Sequence, residues 1–257
     1  MRGIMSFSPQ RLLGVYGDPR VVSLLFFGFS SGLPLALTGA TLAVWLTEAG
    51  VNLTNIGLVS LVGLAYAFKF LWSPLVDRLP IPGLTTMLGR RRSWMLVSQC
   101  AIVAAALAMA VNDPGDPNTR RWTILWALVV AFGSATQDIA IDAYRTEILA
   151  ETQLGAGAAN LVFGYRVGML ASGGGALIIA DSAGWGWAYA LMAALMAVGV
   201  IAVFVNPEPA VRHTPAQQAL EAAGTEWTQR LVGIPSGVRR ALSWGYGAVL
   251  CPFLDFM

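Results

Sequence analysis

Long apolar runs, separated by short polar connections, dominate this sequence. A helix needs about 20 apolar residues to cross a bilayer. The pattern predicts six membrane-spanning helices, over 21–46, 54–76, 93–111, 122–145, 157–180 and 185–205. Residues 206–240 are polar and predict a loop. Residues 241–257 are again apolar and aromatic, but they are too few for a complete seventh span.

Composition agrees with a membrane protein and narrows the function. Of the 257 residues, 56% are hydrophobic and 12% are charged, whereas soluble domains carry about 25% charged residues. Two dispersed cysteines fit neither a disulfide framework nor a metal site. The single histidine, His213, falls in the polar loop, and no paired catalytic motif lies in the spans. We therefore expect no enzyme, no cofactor, no metal and no nucleic-acid partner.

The distribution of basic residues predicts the orientation in the membrane. With the N-terminus inside, twelve arginines fall in the inner segments, and only Arg120 and Arg121 fall in the outer loops. Basic residues accumulate on the cytoplasmic side of membrane proteins. The bias predicts that residues 1–20 and the loop 206–240 are both cytoplasmic.

The fourth apolar run ends in an unusual group of charges, within the stretch FGSATQDIAIDAYRTE. Asp138, Asp142 and Arg145 are spaced i, i+4, i+7, so on a helix they share one face. A charge at the centre of a membrane helix costs about 2.5–3.5 kcal/mol on insertion scales, and it usually faces protein or water. This stretch is therefore the first candidate for a functional site.

Two further charges lie at a similar predicted depth. Lys69 falls in the second span and Arg166 in the fifth, and both are level with Asp138 and Asp142 when the helices are laid side by side. Opposite charges at one depth can neutralise each other. We hypothesise an ion-pair cluster that lines a polar cavity and couples transport to protons. A purely structural pairing is the alternative.

The loop after the second span carries a recognisable motif. Asp77 and Arg78, followed after an insertion by GRRR, resemble the major facilitator signature G-x-x-x-D-R-x-G-R-[KR]. Ser73 replaces the leading glycine, and nine residues are inserted before the second one. The resemblance implies that Asp77 is a gate acid with Arg78 as its neighbour. Arg90 and Arg91 belong to the same motif, although they could equally serve as a topology signal.

Longer segments extend this resemblance. FSSGLPLAL, GRRRSW, ATQDIAIDAYRTEIL and GAGAANLVFGYRVGMLASGG are similar to the AmpG-type muropeptide permeases of the major facilitator superfamily. The resemblance implies an all-α membrane protein, with six helices forming one superfamily half as a 3+3 inverted repeat. It also implies proton-driven import of N-acetylglucosaminyl-1,6-anhydro-N-acetylmuramyl peptides across the bacterial inner membrane, for cell-wall recycling, with a link to β-lactamase induction. Acetyl-coenzyme A transporters share parts of these segments and are the alternative.

The resemblance also assigns residues to transport. It implies roles for Gly32, Ala135 and Gln137. Gln137 has two donors and an acceptor, which suit sugar hydroxyls and acetamido groups. Tyr165 could stack on a sugar face, and anchoring of the helix at the membrane interface is the alternative. Gly28 and Gly32 are spaced as a small-xxx-small helix contact, so helix packing is the alternative for the small residues.

The similar segments span only one half of a major facilitator protein, which has two six-helix halves around a midplane site. We therefore expect a truncated or split N-terminal half that needs a C-terminal six-helix half to complete its cavity. A fragment that inserts into the membrane but transports nothing is the alternative.

Overall fold

The structure is a computed structural model that describes residues 14–210, and every regular element in that range is helical. The α-helices are α1 Pro19–Thr38, α2 Ala40–Glu48, α3 Leu53–Val59, α4 Leu64–Ala67, α5 Ser73–Arg78, α6 Leu84–Leu88, α7 Arg90–Ala110, α8 Pro117–Ile148, α9 Leu154–Leu170, α10 Ala176–Ala183, α11 Trp185–Leu195 and α12 Ala197–Val205. Residues 211–257 lie outside the described range. The central loop beyond residue 210 and the approach to a seventh helix therefore stay predictions.

Five helical segments of the described range are long and apolar enough to cross a membrane. They are Pro19–Glu48, Arg90–Ala110, Pro117–Ile148, Glu151–Ala183 and Trp185–Val205. They correspond to the first, third, fourth, fifth and sixth predicted spans. The prediction of an all-α, multi-pass membrane protein is confirmed.

The second predicted span has a different structure from the other five. Over 54–76 the chain forms α3, α4 and α5, joined by short 3-10 turns, instead of one continuous helix. Pro74 has no N–H to donate to the Phe70 carbonyl, so the ladder of hydrogen bonds is interrupted there. The Ser73 hydroxyl donates to that carbonyl instead, at 3.2 Å. The count of six continuous helices and the inverted repeat thus remain predictions.

Glycines bring α1 and α9 into backbone contact. A Cβ on Gly28 or Gly32 would overlap the backbone of α9, and a Cβ on Gly164 or Gly168 would overlap the backbone of α1. Each helix thus offers two glycines, four residues apart, to the other. Small residues at this spacing let membrane helices approach closely. The predicted small-xxx-small contact of Gly28 and Gly32 is confirmed, with Gly164 and Gly168 as its counterpart.

Two apolar clusters lie towards opposite ends of the bundle. The first surrounds Tyr189, which is fully buried. Its ring lies 4.8 Å from that of Trp45 at a tilt of 41°, and its hydroxyl donates to the Leu37 carbonyl at 3.1 Å. The second surrounds Tyr144, whose ring meets Phe27 at 5.3 Å. Most of the buried polar side chains described below lie between these clusters or beside the second.

We predict that Gly164→Ala destabilises the bundle while Gly174→Ala does not. The new Cβ at position 164 would overlap the Leu25 carbonyl, whereas nothing lies within 4 Å of the Cβ position at Gly174. Overpacking of this kind costs about 1–3 kcal/mol. Thermal unfolding in detergent should show a Tm several degrees lower for Gly164→Ala alone. Equal Tm values for the two variants would contradict the described α1–α9 contact.

Candidate functional site

Polar side chains inside the bundle form two groups. We call Asp77, Arg91, Glu147 and Glu208 the arginine cluster, which lies where α5, α7 and α8 meet near the end of α12. We call the polar contacts between α1 and α8 the polar seam; its members are Ser30, Ser31, Ser134, Gln137 and Asp138.

The guanidinium of Arg91 joins three helices. It is 6% exposed, and its Nη1 lies 2.6 Å from Oδ1 of Asp77 on α5. Its Nη2 lies 2.6 Å from Oε1 of Glu147 on α8, and its Nε donates to both oxygens of that carboxylate at 3.1 and 3.2 Å. A guanidinium suits such multidentate contacts because its donors are fixed in one plane. The carboxylates of Asp77 and Glu147 together compensate the positive charge of the buried guanidinium.

Glu208 completes the cluster from the opposite side. Its carboxylate accepts from the backbone N–H groups of Arg91 at 2.8 Å and Arg92 at 3.1 Å. These groups open α7, where the helix dipole favours a negative charge. Gly89, at φ 87°, caps this end, and a Cβ there would collide with the Glu208 side chain. The chain after α12 is therefore fastened to the start of α7.

The structure brings together part of the predicted gate motif. Asp77 and Arg91 are paired directly, although nine residues are inserted between the two parts of the motif. The insertion is accommodated by the turn before α6 and by α6 itself. Arg90 has a buried Nε with no hydrogen-bond partner among the described residues, and Arg78 ends α5. Arg91 therefore holds helices together, in addition to any contribution of its charge to the orientation of the chain in the membrane.

Glu147 and Glu208 are members of the arginine cluster that the sequence pattern did not predict. Glu147 closes the charged stretch that ends the fourth span, and Glu208 sits between two prolines just after the sixth. Both pair with residues more than 50 positions away in the chain. Each carboxylate directly follows a predicted span, at the same end of the bundle as the GRRR segment, which indicates an ion pair at that end. The sequence does not indicate which arginine forms the pair.

The polar seam links α1 to α8 through two hydrogen bonds. The Ser31 hydroxyl donates to the Asp138 carboxylate. Nε2 of Gln137 donates to Oγ of Ser30 at 3.1 Å, and Gln137 is fully buried. Asp138 therefore has a neutral hydroxyl as its partner within the bundle.

Several buried polar atoms near the seam have no hydrogen-bond partner among the described residues. They are Oε1 of Gln137, Oγ of Ser134, and both side-chain amide atoms of Gln99 on α7. A Cβ on Gly199 of α12 would lie 2.6 Å from Oγ of Ser30 and 2.7 Å from Nε2 of Gln99, so the two polar atoms flank this glycine. Leaving a buried polar atom unpaired costs about 1–3 kcal/mol. Such atoms therefore mark candidate positions for ligand or water contacts.

The structure brings together three of the four residues of the predicted ion-pair cluster, because Lys69 lies beside Asp142 and within electrostatic range of Asp138, while Arg166 lies apart. Lys69 and Asp142 approach to 4.0 Å, with 37% and 55% of their side chains exposed, and such exposed pairs contribute little. Arg166 is exposed, and within residues 14–210 it has no carboxylate in salt-bridge range. It lies two residues from both Gly164 and Gly168, about 200° round the helix. Because the glycines face α1, Arg166 faces away from it.

The remaining predicted residues are placed as follows. Gly32 lies against the Tyr165 carbonyl at the α1–α9 contact, and Ala135 is fully buried on α8. These positions support the packing interpretation for both small residues. The Tyr165 side chain is half-buried and lies within electrostatic range of Asp138. Arg145 has a buried Nε without a hydrogen-bond partner in the described part of the chain.

Comparison with known proteins identifies the family. A family model described as Major Facilitator Superfamily matches residues 24–254. The chain belongs to the Major Facilitator Superfamily. The motif at Asp77 and Arg91 and the helical bundle are both consistent with this membership.

Curated relatives narrow the similarity within the superfamily. The chain is 48% identical over 215 residues to the anhydromuropeptide permease of Escherichia coli (strain K12). The aligned residues are 83% of this chain and 42% of that protein. It is 34% identical over 247 residues to the putative transporter AmpG 4 of Rickettsia felis, covering 94% of this chain and 53% of that protein. An uncharacterized protein of Haemophilus influenzae is 39% identical over 211 residues, which are 80% of this chain and 48% of the relative. The chain thus spans about half the length of these curated relatives.

We predict that Arg91→Gln lowers the stability of the bundle. The change leaves the carboxylates of Asp77 and Glu147 facing each other without a cation, at a cost of about 2 kcal/mol because Asp77 is partly exposed. The Tm in detergent should fall by roughly 4–8 °C.

A control for this variant is Arg121→Gln, since Arg121 is exposed and lies outside the cluster. Adding Asp77→Asn and Glu147→Gln to Arg91→Gln should recover part of the loss, because the repulsion disappears. No recovery would mean that the arginine acts through packing and not through its charge.

Proposed function

We propose that this chain takes part in proton-driven import of anhydromuropeptides across the bacterial inner membrane. The observation that carries the proposal is the 48% identity, over 83% of the chain, to a protein named anhydromuropeptide permease. The relatives named AmpG support the same branch over the acetyl-coenzyme A transporters. Import of these sugars would serve cell-wall recycling, and through it the induction of β-lactamase.

The distribution of arginines supports a cytoplasmic N-terminus. In that orientation the arginine cluster lies at the cytoplasmic end of the bundle, where Asp77 and Arg91 would serve as part of the gate. We propose that the described helices form one half of the transporter and that a second six-helix half completes the path. The two-halves architecture of the superfamily and the greater length of the relatives support this proposal.

Asp138 is our candidate for the proton-coupling acid. It lies between α1 and α8 and accepts a hydrogen bond from the Ser31 hydroxyl, and the cation within electrostatic range of it, Lys69, is paired with Asp142. Asp142, in contrast, is exposed and lies beside Lys69. A carboxyl group that can be neutral at one stage and charged at another suits coupling to protons.

Gln137 and Tyr165 are our candidates for substrate contacts. Gln137 uses one donor on Ser30 and keeps an unpartnered carbonyl oxygen, which could accept from a sugar hydroxyl or an acetamido N–H. Gly32 and Ala135 would act indirectly, because they set the spacing of the helices that carry these side chains.

The direct test is uptake of labelled N-acetylglucosaminyl-anhydromuramyl tripeptide into proteoliposomes, with both halves of the transporter present. An imposed proton gradient should accelerate uptake, and unlabelled acetyl-coenzyme A should not compete. Uptake that ignores the gradient would contradict the coupling, and transport of acetyl-coenzyme A would contradict the substrate class.

We predict that Asp138→Asn reduces gradient-driven uptake at least tenfold while exchange of substrate across the membrane without a gradient persists. The carboxamide keeps the size of the side chain but cannot carry a proton. Asp142→Asn is the matched control one turn away. It should change uptake less than about threefold, since an exposed ion pair is worth at most about 1 kcal/mol. A reversed ranking of the two variants would rule out Asp138 as the coupling acid.

A further inference from the structure

A cavity lies beside the polar seam, between α1 and α2 on one side and the broken second segment on the other. Its volume is ≈ 250 Å³, and its walls include Thr38, Leu42, Ser60 and Tyr66. A water molecule needs only about 15 Å³ of such space. Gly39, Ala40, Ser60 and Gly63 line the cavity and are exposed, so it reaches the surface of the described bundle.

Three hydroxyl groups meet at the inner end of this cavity. The Tyr66 hydroxyl lies beside those of Ser134 and Thr38, but neither contact has hydrogen-bond geometry, and the Tyr66 and Ser134 oxygens are buried and unpartnered among the described residues. Thr38 donates to the Pro34 carbonyl at 2.8 Å and keeps its lone pairs. A buried water needs two to four polar partners. The hydroxyls of Tyr66, Ser134 and Thr38 supply such partners for a water molecule. The apolar side chains that line the rest of the cavity do not.

The same hydroxyls lead towards Asp138. Ser134 and Asp138 are spaced i, i+4 on α8, and Thr38 and Ser31 are spaced i, i+7 on α1, so each pair shares one helix face. The two faces meet at the hydrogen bond from Ser31 to Asp138. The polar line therefore runs along α8, from Ser134 beside the Tyr66 hydroxyl to the carboxylate one turn away, whereas on α1 the apolar Pro34 and Leu35 lie between Thr38 and Ser31.

We propose that this cavity is a water-filled vestibule through which protons reach Asp138 from the end of the bundle remote from the arginine cluster. The Tyr66 and Ser134 hydroxyls form its inner boundary, bridged by water. This inference rests on the proposed coupling role of Asp138 and adds the route and the side of entry. Water is the occupant because the orphaned hydroxyls need both donors and acceptors, which a lipid chain does not offer.

Thiol labelling tests the vestibule independently of transport. Cys100 and Cys251 are replaced by serine, and single cysteines are placed at Thr38 or Thr41. Thr41 is the matched control, because it is 1% exposed, against 7% for Thr38, and donates to the Ser172 carbonyl instead of lining the cavity. A charged, membrane-impermeant methanethiosulfonate should label Thr38→Cys at least tenfold faster than Thr41→Cys. Equal rates would overturn the proposal.

Filling the cavity provides a second arm. Ala43→Trp places a large ring in the lining and should slow labelling of Thr38→Cys at least fivefold, with the Tm measured to confirm folding. No slowing would mean that the reagent arrives by another route, which overturns the vestibule. Labelling of Thr38→Cys by an apolar maleimide but not by the charged reagent would indicate a lipid chain in the cavity and would also overturn it.

The proton role is tested by removing one hydroxyl. Tyr66→Phe should slow substrate-driven proton uptake at least fivefold and leave gradient-free substrate exchange unchanged, whereas the exposed Tyr16→Phe should alter neither. A Tyr66→Phe protein with normal proton uptake would overturn the route. If the cavity labels as expected but Asp138→Asn retains proton-driven uptake, the coupling role of Asp138 fails, and the proton route to it is overturned while the hydrated cavity stands.

Discussion

The backbone contact between α1 and α9 determines how the rest of the bundle is arranged. Gly28 and Gly32 turn one face of α1 towards α9, where Gly164 and Gly168 receive it. With that face occupied, Ser30 and Ser31 point to α8 and meet Gln137 and Asp138. The polar seam is thus a consequence of where the small residues lie. It also explains why Gly32 could matter for transport without touching a substrate.

The two polar groups differ in how they carry charge. In the arginine cluster, Arg91 is held by two carboxylates and its backbone N–H by a third, so the charge is fixed in place. In the polar seam, the one carboxylate meets a hydroxyl, and several amide and hydroxyl atoms keep unused hydrogen-bonding capacity. A fully paired network stabilises one arrangement, whereas a partly paired one can accept water or ligand and change. The first group therefore suits closure of one end, and the second suits binding.

Hydrophobic patterning was sufficient to predict five of the spans, because length and apolarity alone define a membrane helix. The spacing of Gly28 and Gly32 correctly indicated a close helix contact. Patterning could not predict the breaks over 54–76, since the residues remain apolar while Pro74 and the local hydrogen bonds interrupt the helix.

Arg166 lies apart from the rest of the predicted ion-pair cluster for a related reason. Depth along a helix placed Arg166 level with Asp138, but depth says nothing about rotation about the helix axis. The glycines of α9 set that rotation and turn Arg166 outward. The contacts of Glu147 and Glu208 cannot be predicted from the sequence, because their partner, Arg91, is distant in the chain and meets them only through the packing of the helices.

The central claim is that α1 and α8 act as one unit through Ser31 and Asp138. A double-mutant cycle on gradient-driven uptake tests it most directly, with Ser31→Ala, Asp138→Asn and both changes measured in the complete transporter. The account predicts strong non-additivity, with the double variant no slower than Asp138→Asn alone, because the serine acts through the carboxylate. Losses that simply multiply would show that the two residues act independently and would contradict the account.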